Sequence, residues 1–599
     1  MDERPDRDWQ RFRRVHFDTK HISKRMRRAE TATTRHARKF LFRRIDNMRE
    51  VRRQIVSWLI IVGVIIVAVL LQTVWFGRTY VSEAAADGGT YAEADLGPID
   101  TLNPLYAKSD AELAASRLMF SSLYKYDDTG HLADDLATNL SIDPTGTIYT
   151  VTIRPNATWS DGAKLTADDV VFTINLIKNP VVRSPLAINW QDVSAKAVNS
   201  TTIQFTLPAP YAAFPQALTF PVLPEHILES VPSSQLRENS FSSSPVGSGP
   251  FIFRLLQKVS VGTPETVVRL HANTSYYGGT PKLANFEIHA YSTMSQIMTA
   301  LKTGEVNAAS GLSPDKLEAV NKSQYRTRVT PVDNGVYALF NTTDPILKDA
   351  SVRQALQLAT NTNALRHHVS GSPAALDLPF IKGQLTGDSV PKAPTTDTAK
   401  AEALLTSDGW IQSGKFREKS GQQLMIPITT TDNPGYKAAA QSLAAQWRAI
   451  GVDTSVTVID ASDPTVNFVQ DTLQPRNYSV LVYQLTIGAD PDVFAYWDST
   501  QIGMNGYNFS NYSNPIADAT LSTARALTDP AIRQAKYSAF AKQWLSDVPA
   551  IGLYQGMSTY VYGQSIATYP PHAKLVTATD RFSNVVDWSV GSQIVYKTP

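Results

Sequence analysis

Cysteine is absent from all 599 residues. That excludes disulfides, thiolate metal sites, a cysteine nucleophile and a lipid anchored through an N-terminal cysteine. Charge is sparse as well. Charged residues make up 18% and hydrophobic residues 43%, a globular balance that excludes a mainly disordered chain. No Gly-x-x-x-x-Gly-Lys-Ser/Thr phosphate loop occurs, and no His-Glu-x-x-His pair. The Gly563-Gln564-Ser565 stretch ends on Ala567, so it is no hydrolase elbow. His367 and His368 are adjacent and diverge on a helix, which is poor ligand spacing. Asp127, Asp128, Asp134 and Asp135 form an incomplete calcium pattern and read as turn chemistry. No repeat of 20–50 residues is visible, which argues against a solenoid. These absences predict a protein that is not an enzyme and carries no metal or cofactor.

What is present is unevenly spread. Residues 1–54 hold 18 basic and 8 acidic residues, leaving 38 basic and 46 acidic for the rest. A basic tail is therefore joined to an acidic body, whose sign disfavours nucleic acid. Between them Ile55–Phe76 runs 22 residues without a charge. At 1.5 Å per residue it spans roughly 33 Å, enough to cross a bilayer core. Trp58 and Trp75 sit near its ends, where indole favours the membrane interface. Arg43, Arg44, Arg49, Arg52 and Arg53 precede it, and Arg78 alone follows closely. The positive-inside rule then places the tail (1–54) in the cytoplasm and residues 77–599 outside the cell or in the periplasm. Ala84-Ala85-Ala86 could serve as a cleavage site. The run is longer than a usual signal core, however, which favours an uncleaved signal anchor. The tail is expected to set topology, or else to meet anionic lipid or a cytoplasmic partner.

Residues 77–92 are small and polar, and read as a tether. From about Glu93 strands and helices alternate. Thr147–Ile153 alternates β-branched and aromatic residues after the turn Asp143-Pro144-Thr145-Gly146. Trp159-Ser160-Asp161-Gly162 is a tight turn, and Thr166 caps a helix that stops near Asn179-Pro180. Leu424–Thr430 is strand-like, with Pro427 arguing for an edge or a bulge. A helix from about Tyr436 places Ala440, Leu443, Ala444, Trp447 and Ile450 on one face, and Gly451 ends it. Val452, Thr454, Val456 and Val458 follow as a strand. Strand, helix, strand is a crossover, which implies parallel pairing and an α/β fold.

An ordered series of short motifs covers roughly residues 93–599. It includes Asp100–Leu105, Ser121–Tyr124, Trp159–Gly162 with Leu165–Val170, Pro245–Phe251 and Asn273–Gly279. It continues with Leu301–Val306, Phe340-Asn341 with Val352–Leu356, Ala489–Asp492 and Asp547–Pro549. In this series the chain resembles the extracellular solute-binding proteins of family 5, which contains the oligopeptide- and dipeptide-binding proteins of ABC importers. The resemblance implies a two-lobed α/β fold of the periplasmic-binding-protein type (type II), with two hinge strands near Tyr337–Asn341 and Leu553-Tyr554. The expected domains are lobe I over 93–333 with a subdomain inserted at about 121–228, lobe II over 334–555, and a return to lobe I over 556–599. Ligand would be enclosed between the lobes, with a peptide as the expected solute and ABC permease subunits as partners. A transmembrane sensor or adaptor using the same cleft and the basic tail is the alternative.

The resemblance also names site candidates. In peptide-binding relatives an Asp three residues before the acidic-Pro pair holds the peptide amine. Here the pair is Asp490-Pro491 and the earlier position is Ile487, which cannot neutralise an ammonium group. Asp490 is expected either to take over that role or to cap the helix carrying Phe494 and Trp497. Tyr337 matches a cleft tyrosine near the hinge. Tyr106, Tyr124, Gln484 and Trp497 complete the ligand-binding candidates, with an apolar core as the competing place for the aromatics. Arg353, at a helix start, is expected to pair with a carboxylate.

Overall fold

The computed structural model describes residues 48–187, 190, 192–259, 265–460 and 466–596; the basic tail before Met48 lies outside them. It separates a unit that contains the N-terminal helix from a body spanning Ala85–Gln593. The helix runs Met48–Tyr80 without a break. Its stretch Arg52–Phe76 has the length and composition to cross a membrane, and all of its residues are exposed. The hydroxyls of Ser57 and Thr73 donate to carbonyls one turn back, Arg53 O and Val69 O. Their donors are thus satisfied inside the helix, as an apolar surrounding requires.

Ten strands form the central sheet of the body. In chain order they are β1 (Thr90–Leu96), β2 (Phe251–Val259), β3 (Glu265–Ala272), β4 (Asn285–Tyr291) and β5 (Ala308–Ser310). Then come β6 (Tyr325–Phe340), β7 (Ile428–Thr431), β8 (Val456–Ile459), β9 (Val480–Thr486) and β10 (Ala550–Gly563). Their spatial order is β8-β7-β9-β6-β10-β5-β1-β4-β3-β2. β6 and β10 are the longest and pair antiparallel at the middle. Their register shifts between Pro331 and Gly335 and again between Val336 and Tyr337. Tyr91 of β1 is buried against Phe286 and Trp588, so the sheet takes in the last three residues of the stretch expected as a tether.

The apolar cores divide across this pair of strands. On one side a large cluster joins β1, β3 and β4 to a separate antiparallel sheet, Ala137–Ile142, Ile148–Ile153, Thr202–Thr206 and Ser194–Asn199. On the other, Phe340, Trp447 and Val480 anchor one cluster, and Tyr337, Trp497 and Trp544 anchor another. The architecture is two-lobed and mixed α/β, with β6 and β10 running between the lobes.

Local chemistry accounts for the elements that matter below. The strand Ile148–Ile153 alternates half-buried and buried residues along its length. Gly162 takes φ +92° in the Trp159 turn, a left-handed conformation that glycine adopts without steric cost. Asp169 accepts the Thr166 backbone N–H at 2.8 Å and starts the helix Ala167–Lys178. β7, the helix Pro434–Ala449 and β8 form the expected crossover, and β7 pairs with β8 in parallel. Ala440, Leu443, Ala444 and Trp447 are fully buried. β7 is not an edge strand, contrary to the expectation from Pro427. The proline lies one residue before the strand, and its carbonyl accepts the Val480 N–H at 3.3 Å. The position needs an acceptor and no donor, so proline fits.

Candidate functional site

A cavity of about 300 Å³ lies against the crossing strands, at the small end of the usual range for ligand pockets. Val336 of β6 and Tyr554 and Gly556 of β10 form its spine. One lobe supplies Asp110, the loop Ser310–Asp315 and Arg581. The other supplies His368, the segment Asn433–Tyr436 and Gln484.

Each wall has a local cause. Asp110 is the first residue of the helix Asp110–Met119, which Ser109 and Glu112 close with a reciprocal capping box. Asn433 caps the helix Pro434–Ala449, its side-chain oxygen accepting the N–H groups of Gly435 at 2.9 Å and Tyr436 at 3.2 Å. The Tyr436 hydroxyl donates to Gln484 at 3.2 Å. Gln484 stands on β9 opposite Val336. At Gly435 a side chain would press on the Tyr554 hydroxyl, and at Gly556 it would collide with Asn334. Both glycines let the backbone approach closely.

Beneath the cavity lies a buried polar network. Arg581 donates to Glu93 at 2.5 Å and to Asp95 at 3.3 Å. The Tyr560 hydroxyl donates to Glu93 at 2.5 Å, the Ser310 hydroxyl donates to Asp95, and the Tyr91 and Tyr560 hydroxyls meet. Two carboxylates thus share one guanidinium, and Asp95 Oδ2 has no hydrogen-bond partner. Burial pushes the Glu93 carboxyl up to about 7. Asp110 is raised too, first by burial and then by the charge of Asp95. With Asp110 at its wall, the floor has an excess of acid over base, which suits a cationic group.

Of the six ligand-binding candidates, only Gln484 lines this cavity. Tyr106 is buried under the Arg237 guanidinium, 5.3 Å from its ring centre. Tyr124 is buried at the start of the hairpin strand Tyr124–Tyr126, its hydroxyl without a partner. Tyr337 and Trp497 are fully buried and meet edge to face at 6.1 Å. The Tyr337 hydroxyl donates to Leu378 O at 3.2 Å. Asp490 forms a two-pronged pair with Arg533, at 2.7 and 2.9 Å. The helix start that Asp490 was expected to cap is served by Asp492, which accepts the Phe494 N–H at 3.3 Å. Ile487 is buried in the same apolar cluster as Tyr337. Arg353 meets carbonyls rather than a carboxylate: it donates to Leu347, Lys348, Asp547 and Val548.

A second cavity, of about 470 Å³, also has walls from both lobes, with Pro208–Tyr211 facing Phe494, Tyr507 and Arg525. The Arg525 guanidinium lies 4.1 Å from the Tyr211 ring centre and 4.6 Å from that of Phe494. It pairs with Asp492 at 3.3 Å. The Arg525 carbonyl accepts the Ala212 N–H at 3.0 Å. The contacts of Arg525 with Tyr211 and Ala212 cross between the lobes.

Residues 131–507 match the profile of the bacterial extracellular solute-binding proteins, family 5. The chain belongs to this family. A putative ABC transporter peptide-binding protein of Brucella ovis is 28% identical to this family 5 protein over 500 residues, 80% of this chain and 90% of the relative. The structure of NikZ from Campylobacter jejuni in complex with Ni(L-His) is 26% identical, with a TM-score of 0.69 over 84% of this chain and 99% of that one. The oligopeptide-binding protein AppA of Bacillus subtilis, solved with a nonapeptide, shares the fold at 23% identity, with a TM-score of 0.69 and the same coverage. The family 5 assignment agrees with the resemblance in the motif series and with the two-lobed fold.

Sequence reasoning missed Asp110, His368, Tyr436 and Arg581. Local signals were available. Asn433-Pro434 is a cap followed by an N-terminal proline, and it marks a helix start whose backbone faces the cavity. The Ser109–Glu112 capping box marks the helix start that carries Asp110, whereas Arg581 sits in no pattern, because Glu93 and Asp95 are hundreds of residues away.

Proposed function

We propose that this family 5 protein is a membrane-anchored receptor of an ABC importer, and that it takes peptides between its lobes and delivers them to the permease. The observation that carries the reading is the cavity on β6 and β10, walled by both lobes. A solute that contacts both lobes stabilises the closed state over the open one. In this reading Asp110, with the acidic floor behind it, receives the cationic end of the solute, and Gln484, Tyr436 and the N-terminus of the helix Pro434–Ala449 receive its polar backbone. Tyr106, Tyr124, Tyr337, Asp490 and Trp497 hold the lobes in shape around it. Lobe I comprises 93–333 with the inserted segment of about 121–228, lobe II comprises 334–555, and 556–599 returns to lobe I. The Arg52–Phe76 helix keeps the receptor beside its permease, with the body outside the cytoplasm. The names of relatives support peptides as the solute class, and NikZ, solved with Ni(L-His), is a case of the same fold holding a metal–amino-acid complex.

The test is native mass spectrometry of the full-length protein in detergent, before and after mild denaturation. A released peptide with a free amine is the expected result, together with its loss from an Asp110→Asn variant. A solute without a cationic group, or one retained equally by that variant, would overturn the assignment of the acidic floor.

A further inference from the structure

Away from the interlobe cavity, three side chains converge at the β3–β4 hairpin. Glu265 opens β3 and lies opposite Tyr291 of β4, while His289 lies two residues earlier on β4, opposite Val267. The period of two puts Glu265, His289 and Tyr291 on one face of the sheet. Glu305 arrives from another element. The helix Met294–Thr303 ends at Gly304, whose φ of +75° turns the chain so that the Glu305 N–H reaches back to Ala300 O at 3.0 Å. One ligand atom from each of Glu265, His289 and Glu305 falls within 4.8 Å of the others.

The cluster is more than a group of acids. The His289 and Glu265 side chains are each only 7% exposed. His289 Nε2 lies 3.1 Å from Glu287 Oε2; in the tautomer that donates to this carboxylate, Nδ1 carries the lone pair. This is the usual outer-shell arrangement of a metal-binding histidine. Nδ1 faces Glu265 Oε2 at 3.5 Å, and neither atom has a hydrogen-bond partner. Two ligand atoms held about 2.0–2.2 Å from one zinc ion in a tetrahedron stand about 3.3–3.6 Å apart. The pair therefore has the spacing of one tetrahedral edge. The Tyr291 hydroxyl, its pKa raised first by burial, faces Glu265 and Glu305 in the same cluster.

We propose that Glu265, His289 and Glu305 bind a divalent transition-metal ion of the Zn²⁺ type, with water in the fourth position. The ion ties the hairpin to the end of the helix Met294–Thr303 and braces this lobe. This departs from the absence of metal expected from sequence. The ligands lie 24 and 16 residues apart on separate elements, so no short motif announces them.

The experiment uses the full-length protein in detergent, without an oligohistidine tag, stripped with chelator and titrated with Zn²⁺ by calorimetry while metal content is measured after dialysis. Thermal unfolding is followed with and without Zn²⁺. The expected result is a bound equivalent of zinc whose affinity falls at least tenfold in both Glu265→Gln and Glu305→Gln, with zinc raising the melting temperature of the wild type only. Glu305 is exposed, so its variant folds and keeps the test decisive. Zinc affinity unchanged in Glu305→Gln, or no binding at micromolar zinc, would leave a plain histidine–carboxylate contact and overturn the proposal. Loss of zinc in an Asp110→Asn variant, with both glutamate variants unaffected, would place the metal in the cavity and overturn it equally.

Discussion

At the scale of single residues, the body places carboxylates where burial decides their state. Glu93 is fully buried and its carboxyl is raised to about 7, chiefly by loss of water, with Arg581 opposing the shift. Unfolded, the same group titrates near 4.5. Between those values the folded chain holds the proton and the unfolded chain has released it. The contribution of Glu93 to stability is therefore present below 4.5 and is lost as pH rises through about 7. Glu93→Gln, which mimics the protonated form, should flatten the fall in urea midpoint across that window. A midpoint that falls as steeply in the variant would assign the slope to other groups. Ile487 shows the opposite economy. It packs into the apolar cluster with Tyr337 and Trp497, where an unpaired carboxylate would be costly.

At the scale of elements, lobe closure rests on a few contacts. Arg525 is stacked between Tyr211 of one lobe and Phe494 of the other, and a partly desolvated cation over a ring contributes about 0.5–2 kcal/mol. Tyr211→Ala should weaken solute binding about threefold to tenfold, mostly through faster release, whereas Tyr211→Phe keeps the ring and should stay near wild type. Equal losses in both variants, followed by stopped-flow release, would mean that the ring face is not the contact. The crossover β7, helix, β8 was legible because its signals are local: apolar spacing on one helix face, a glycine at the end, and alternation in the strands. The ten-strand order was not. β10 pairs with β6 across more than 200 residues, and no local pattern encodes that. The partners of Asp490 and Arg353 were out of reach for the same reason. Arg533 lies 43 residues beyond Asp490, and the carbonyls that receive Arg353 come largely from the turn at Asp547-Val548. Gln484 was a candidate through the motif series and lines the cavity, whereas the segment Ser310–Asp315 offered only the cap and proline Ser313-Pro314 as a local sign.

At the scale of the whole molecule, the anchored-receptor reading predicts that protease added to intact cells removes the body and leaves a membrane-bound fragment containing the tail. A body released with a new N-terminus near Ala86 would contradict the anchor. The central claim is that solute binds between the lobes and closes them. The absence of cysteine permits a direct measurement. Ser234→Cys and Ser407→Cys place one label on each side of β6 and β10, both at exposed positions. Single-molecule energy transfer between them then reports the interlobe distance. The account predicts two populations in the emptied protein. Adding the solute released from the purified protein should shift them toward the shorter distance, and Gln484→Ala should weaken that shift. Solute that binds without moving the distribution, or moves it equally in Gln484→Ala, would contradict binding in this cavity.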